Sequence, residues 1–344
     1  MTQMPVFVVA CSGRCGSTLL SEMLERHPQV LSLSEFLVPL VLSGVRHAEQ
    51  PLTAQQFCAA LQTHMPTTSA LLKAGITVSE FRYPFQRQGA RHRRDSGLPF
   101  PVNCALSHLT DDPDGAFDVL LRRVLATNGT CVRDHLTCTF QTLAEMFGGS
   151  IVVERSGGSL LFTAQIRALL PQASFILLTR SGTETALSMS RHAYFRHIAL
   201  RSVLTAELGY DPYTSPQRGG VSALPPDLAR QLPEHFTKAG FEALDLPLDL
   251  FGAIWAHHTE RGLAALPARF HHLSYESLCA GPHATLRAVA EHIGAAPDPH
   301  WLAAAAPLVS PPQCKPESLP PDELAYLGAA CEPGVAALAR KGIV

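Results

Sequence analysis

The sequence predicts an α/β fold, a parallel sheet flanked by helices with a helical or loop insertion. Three observations predict it. Val6 to Ala10 is an unbroken apolar, β-branched run, the signature of a strand buried on both faces. A Gly-containing loop follows, and then Thr18 to Arg26 repeats its apolar residues at helical spacing. From residue 117 onward short apolar runs alternate with amphipathic ones, the rhythm of strand–helix–strand crossovers.

The elements follow in order. Pro28 ends the first helix, and Val30 to Leu33 reads as a second strand with Glu35 just beyond it. Leu52 to Leu72 reads as a helix, and Arg82 to Arg94 as a basic loop, either solvated or anion-binding. Phe117 to Leu125 and Phe140 to Phe147 are helical, Ile151 to Val153 a strand, Leu160 to Leu170 a helix, Phe175 to Thr179 a strand and Glu184 to Phe195 a helix. Residues 205 to 247 are rich in Pro and Gly and read as an insertion or lid. Phe270 to Ser274 is the last strand, with helices at Thr285 to Ile293, around Trp301 and at Asp322 to Ala330. The whole, 1–344, reads as a single domain.

Composition narrows the function. The 344 residues are 46% hydrophobic and 16% charged, with a formal net charge of −2. Binders of nucleic acid or of anionic membrane surfaces show a basic excess, so neither partner is expected. Nine cysteines without a C-x-x-C motif point to reduced thiols rather than a disulfide framework. The histidine pairs His257–His258 and His271–His272 are adjacent, so their side chains diverge, and no metal is expected. The N-terminal apolar run is far shorter than the ~20 residues of a membrane span. A cytoplasmic location is the expectation.

The segment CSGRCGST, residues 11–18, stands between a strand and a helix. Glycines there let the backbone curl around an anion, and the unpaired N–H groups of the helix start point at it. Ser17 and Thr18 add hydroxyl donors, and Arg14 a fixed cationic fork. A nucleotide kinase loop needs a Lys before its Ser/Thr, but Ser17 stands at that place and Cys11 replaces the first Gly. A Mg²⁺–ATP kinase or hydrolase is therefore the weaker alternative.

Arg14, Cys15, Gly16, Ser17 and Thr18 resemble the 5′-phosphosulfate loop of sulfotransferases that use 3′-phosphoadenosine 5′-phosphosulfate (PAPS). In that family a later strand ends in an Arg, and a Ser eight residues on helps grip the donor's 3′-phosphate. FILLTRSGTETALSMS supplies Arg180 and Ser188 in that relation. HPQV resembles the family's His-Pro turn, VVERSGGSLL an internal motif that places Arg155, and Trp255 with Tyr275, Glu276, Leu278 and Pro282 a late Trp and Y-E-x-L…P segment. SLPPDELAYL resembles the start of its C-terminal helix. The resemblance does not extend over residues 43–115 or 200–247.

The resemblance implies a P-loop-like sulfotransferase fold and sulfuryl transfer from PAPS without a metal, releasing 3′,5′-ADP. Arg14 would stabilise the bridging oxygen and the phosphosulfate, and Glu35 would be the base, with a histidine as the alternative. Arg155 would hold the sulfuryl oxygens or the acceptor. Tyr275 and Lys315 would line the nucleotide, and Arg191 or His192 would add a phosphate contact. The acceptor is a hydroxyl or amine of a small molecule, lipid or glycan. The order Glu35, Phe36, Leu37 puts an apolar wall beside the base, which suits a lipid, polyketide, steroid or other small alcohol. A non-catalytic nucleotide-binding module on the same fold is the remaining rival. The sequence leaves the oligomeric state open.

Overall fold

A computed structural model describes residues 4–309 and 316–343. Five parallel strands form one sheet: β1 (Val6–Cys11), β2 (Val30–Ser34), β3 (Ile151–Arg155), β4 (Ser174–Thr179) and β5 (His271–Ser274), in the order β2-β3-β1-β4-β5. The expected α/β architecture is therefore present. Successive side chains of a strand point to opposite faces. Val8, Ala10, Leu31, Leu33, Val152 and Leu177 enter one core layer. Phe7, Val9, Val30, Ile151, Val153 and Ile176 enter the other. With both faces covered, the strands read as continuous apolar runs rather than as alternation.

The second layer is closed by the helices Ser17–Glu25, Pro282–Ile293 and Pro299–Ala305. The first layer is larger and includes Val132–Phe147, Leu248–Ala265 and the C-terminal helix Pro321–Arg340. β1 lies between β3 and β4, and the chain leaves it toward β2 on one side before returning to β4 on the other. A crevice at the carboxyl end of the sheet, where the strand order reverses, is where open α/β sheets bind ligands.

Several elements differ from the sequence reading. Leu52 to Leu72 is two helices, Ala54–Leu61 and Pro66–Lys73. Thr53 and Gln56 form a capping box that starts the first. Pro66 cannot continue a helix but can begin one, and it stands at N1 of the second. Glu184 to Phe195 is also two helices, Gly182–Ser190 and Ala193–Leu208, with His192 in an extended backbone between them. Leu160 to Leu170 begins as a 3₁₀ turn, Ser159–Phe162, before Thr163–Leu169. The helix Leu248–Ala265 was not expected. Its buried positions mix Phe251, Trp255 and Leu263 with Gly252, His258 and Thr259, so its inner face lacks a continuous apolar stripe.

Residues 209–247 carry only the short helical turns Val221–Ala223, Pro226–Ala229 and Lys238–Glu242. They are tied to the helix Ala193–Leu208. Arg196 donates to the carbonyl of Leu244 at 2.6 Å, and the buried His197 ring packs against Tyr213, Phe236 and Phe241. The basic loop is neutralised by carboxylates: Arg82 pairs with Glu22, Arg87 with Asp112, Arg91 with Asp118 and Arg93 with Asp95. These largely exposed pairs match the solvated reading of that loop better than the anion-binding one.

Candidate active site

The loop after β1 turns sharply. Gly13, Arg14 and Gly16 all adopt positive φ, at 82°, 56° and 89°. A Cβ on Gly16 would stand 2.2 Å from the Tyr275 ring, and one on Gly13 would stand 2.3 Å from Phe195. Glycine is thus demanded twice over, by backbone conformation and by space. Gly16 is the N-cap of the helix Ser17–Glu25 and no side chain caps it. The amides of Ser17, Thr18 and Leu19 have no carbonyl one turn back to bond, and all three residues line a cavity of about 340 Å³.

That cavity opens at the carboxyl ends of β1, β3 and β4. Arg14, Gly16, Ser17 and Thr18 line one wall, with Arg180, Ser188 and Tyr275. Glu35 and Arg155 line it from β2 and β3. The loop and the Arg180/Ser188 pair therefore meet in one cleft. Arg14 Nε donates to Ser188 Oγ at 3.3 Å, and Arg180 Nη1 donates to the Arg14 carbonyl at 3.2 Å. The Cys15 side chain faces away from the cavity. It is fully buried in the second core layer beneath the loop. Its thiol and that of Cys11 share a proton environment. Hydrogen bonding from Cys15 outweighs burial and lowers Cys11 to about 6, while the bond to Cys11, with burial, raises Cys15. Lys315 lies outside the described residues.

Three arginines reach the cavity, and each meets a glutamate. Arg180 donates through Nε and Nη2 to Glu184 Oε2 at 2.9 and 2.6 Å, and its guanidinium lies 4.5 Å from the centre of the Tyr275 ring. Arg155 donates to Glu35 Oε1 at 2.6 Å and to Ser34 Oγ at 3.1 Å. Arg14 Nη1 stands 3.4 Å from Glu80 Oε1.

Glu35 is held with unusual force. Its φ is +56°, a left-handed conformation that costs a non-glycine residue roughly 1–2 kcal/mol. Consecutive residues of β3 impose it. The Arg155 carbonyl accepts the Glu35 N–H at 2.8 Å. Glu154, fully buried, accepts the N–H groups of Phe36 and Leu37 at 3.0 and 2.9 Å and the Ser156 hydroxyl at 2.5 Å. Glu154 thereby serves the start of the helix Leu37–Leu42, while Arg155 and the Gly157 N–H, at 2.9 Å, hold the Glu35 carboxylate. Burial raises Glu35 to about 7, with Glu154 adding to it and Arg155 and Gly157 opposing. A carboxyl group near neutrality is matched to proton transfer at physiological pH.

Sequence reasoning missed Glu80, Glu154 and Glu184. Glu184 lies in the first turn of the helix Gly182–Ser190, four residues beyond Arg180, which precedes that helix. Glu80 sits in the irregular stretch 74–99, where nothing in the pattern marks it. Burial pushes its carboxyl up, but the hydrogen bond and charge of His192, with Arg14, bring it down to about 2. Of the two further phosphate candidates, His192 lines the cavity, and its Nε2 lies 3.3 Å from Glu80 Oε2. Opposite the loop, Met65, Val78, Phe81, Leu98, Phe100 and Tyr194 make an apolar wall. Among the described residues no cluster of His, Cys, Asp or Glu is arranged to hold a metal ion, and no helix is long and apolar enough to cross a membrane.

Comparison with known proteins places the chain. No curated protein matches it. Among solved structures it is similar to a sulfotransferase domain from the curacin biosynthetic pathway, with 16% identity, a TM-score of 0.45, and 87% of this chain and 77% of that chain covered. It is likewise similar to a sulfotransferase from Mycobacterium avium, with 16% identity, a TM-score of 0.45, and 99% and 76% covered. A sulfotransferase from Alicyclobacillus acidocaldarius matches with 13% identity, a TM-score of 0.40, and 98% and 96% covered. Residues 5–246, which carry the loop, Glu35, Arg155, Arg180 and Ser188, match the profile of the sulfotransferase family, and the chain belongs to that family.

Proposed function

We propose that the protein transfers the sulfuryl group of PAPS to the hydroxyl of a small, largely apolar acceptor and releases 3′,5′-ADP. The observation that carries this reading is the single cavity shared by the Arg14–Thr18 loop, Arg180, Ser188 and Glu35. In the reaction Glu35 takes the acceptor's proton as its oxygen attacks sulfur. The bond from sulfur to the bridging oxygen breaks, and the electron pair leaves on the 5′-phosphate. Arg14 and the amides of the first helical turn face that growing charge. Arg180 and Ser188 bind the 3′-phosphate, and Tyr275 packs beside Arg180 to line the nucleotide. Arg155 acts through Glu35, since two of its nitrogens are committed to Glu35 and Ser34.

The apolar wall supports a hydrophobic alcohol or phenol over a glycan, which would require polar partners along its length. We read residues 1–344 as one domain. None of residues 205–247 lines the cavity, which supports reading that stretch as an insertion. The eight cysteines among the described residues are free thiols, which supports a cytoplasmic location. Thermal stabilisation by 3′,5′-ADP against ATP with Mg²⁺ tests the donor. A ligand at about 100 times its Kd adds roughly 2.7 kcal/mol. Stabilisation by ATP–Mg²⁺ alone overturns the reading. Sulfation of a panel of apolar alcohols and of sugars from labelled PAPS then tests the acceptor.

A further inference from the structure

Arg14 is engaged on two sides. Its Nε is bonded to Ser188 Oγ at 3.3 Å, and its Nη1 faces Glu80 Oε1 at 3.4 Å. Glu80 is no stray surface acid. It lines the cavity with only 14% of its side chain exposed, and its other oxygen takes the Ser79 hydroxyl at 3.0 Å and His192 Nε2 at 3.3 Å. A carboxylate thus stands on the guanidinium that the proposed mechanism assigns to the phosphosulfate. The donor is strongly anionic, so Glu80 and the donor claim the same cation.

The other two arginine–glutamate pairs are built differently. Glu184, in the first turn of the helix Gly182–Ser190, neighbours Arg180 in the chain and holds its Nε and Nη2, while Nη1 donates to the Arg14 carbonyl. Glu35 belongs to the acceptor side, where Arg155 keeps it in place. Glu80 alone comes from the irregular stretch 74–99, with no helix or strand holding it in register. Phe81 beside it rests edge-on to Tyr194 of the apolar wall, ring centres 6.2 Å apart.

We propose that Glu80 is a latch that the donor displaces from Arg14, and that this exchange makes the donor bind before the acceptor. The inference rests on the PAPS reading of the cavity. When the phosphosulfate takes Arg14, Glu80 keeps Ser79 and His192, so Oε2 loses nothing. Oε1 becomes free to accept a hydrogen bond from a hydroxyl in the apolar half of the cavity. Before that exchange Oε1 is spent on Arg14, and the acceptor lacks this contact.

The test is calorimetric titration with 3′,5′-ADP of the wild type, Glu80→Gln, Arg14→Ala and the double variant. Most losses in a binding site weaken binding, but here Glu80→Gln is expected to tighten it about 2- to 5-fold, the upper part of the range for losing one partly exposed ion pair. In the Arg14→Ala background the same change should alter affinity less than about twofold, because the contested cation is gone. Unchanged or weaker binding by Glu80→Gln overturns the latch. Equal tightening in both backgrounds also overturns it, since that signals general charge repulsion rather than competition for Arg14. A wild type that binds no 3′,5′-ADP overturns the donor assignment and the latch together. Should Glu80→Gln fail to fold, Glu80→Asp, one methylene short of Arg14, replaces it; tighter binding supports the latch and unchanged binding overturns it.

Discussion

Replacing Glu35 by Gln keeps the shape of the side chain and its hydrogen bond to the Gly157 N–H, but removes a site that can hold the acceptor's proton. Burial places the carboxyl near 7. A base must be ionised to act, so the sign is fixed: turnover rises as pH increases through about 7 and levels off above it. At pH 6 a group of this strength is about 10% ionised and at pH 8 about 90%, so kcat/KM for the acceptor should climb roughly ninefold between them. A solvent-exposed Glu, with its ordinary value near 4.3, would give a flat profile over the same span. In Glu35→Gln the rise should vanish and turnover fall by about 10²–10⁴, the usual contribution of general-base catalysis. The assay is a pH profile of kcat/KM for the acceptor at saturating PAPS, paired with a 3′,5′-ADP titration showing that donor affinity has hardly changed. A variant that retains both the rate and the acid limb would refute the reasoning and move the base to His192, the histidine that reaches the cavity.

Three further outcomes follow from the same geometry. Arg180→Ala should shrink the preference for 3′,5′-ADP over 5′-AMP by about 1.5–3 kcal/mol, the worth of a charge-assisted contact; an unchanged preference in paired titrations would remove Arg180 from the 3′-phosphate. Gly16→Ala forces a Cβ to within 2.2 Å of Tyr275 at a φ of +89°, so 3′,5′-ADP should no longer raise the melting temperature; retained stabilisation would show that the loop tolerates displacement. Glu154→Ala leaves the amides of Phe36 and Leu37 without their acceptor and should cost about 1–3 kcal/mol in denaturant unfolding. It should also shift the acid limb of the pH–rate profile, because Glu154 contributes to raising Glu35. A normal limb with lowered stability would confine Glu154 to folding.

The sheet was legible because burial on both faces leaves only one kind of sequence. Val6 to Ala10, Ile151 to Val153 and Phe175 to Thr179 have no solvent-facing position to vary, and all three appear as strands. Helices were legible where one face is wet. Leu248–Ala265 is packed between the C-terminal helix and the helix Gly182–Ser190, so its period is blurred by Gly252, His258 and Thr259. The break between Ser190 and Ala193 carries no Pro or Gly. It follows from the tertiary placement of His192 against Glu80, which no local pattern encodes.

The site divides along the same physical line. Residues whose chemistry depends on neighbours in the chain, such as Gly13 to Thr18 or Arg180 with Ser188, could be named from spacing. Residues whose chemistry depends on contacts across the fold were named only through the family resemblance, as Glu35 and Arg155 were, or not at all, as with Glu80 and Glu154. Arg155 reads from the sequence as a cation waiting for an anion, yet its partner is Glu35, 120 positions away. Arg14 finds Glu80 across 66 positions. Two of the cavity's three arginines are therefore balanced by carboxylates that arrive from distant segments, while Arg180 meets Glu184 four residues on. A sequence shows how many charges a site contains, while the fold decides which are free. In an anion-binding site that distinction governs affinity, because a donor must displace whatever already neutralises the arginine it needs.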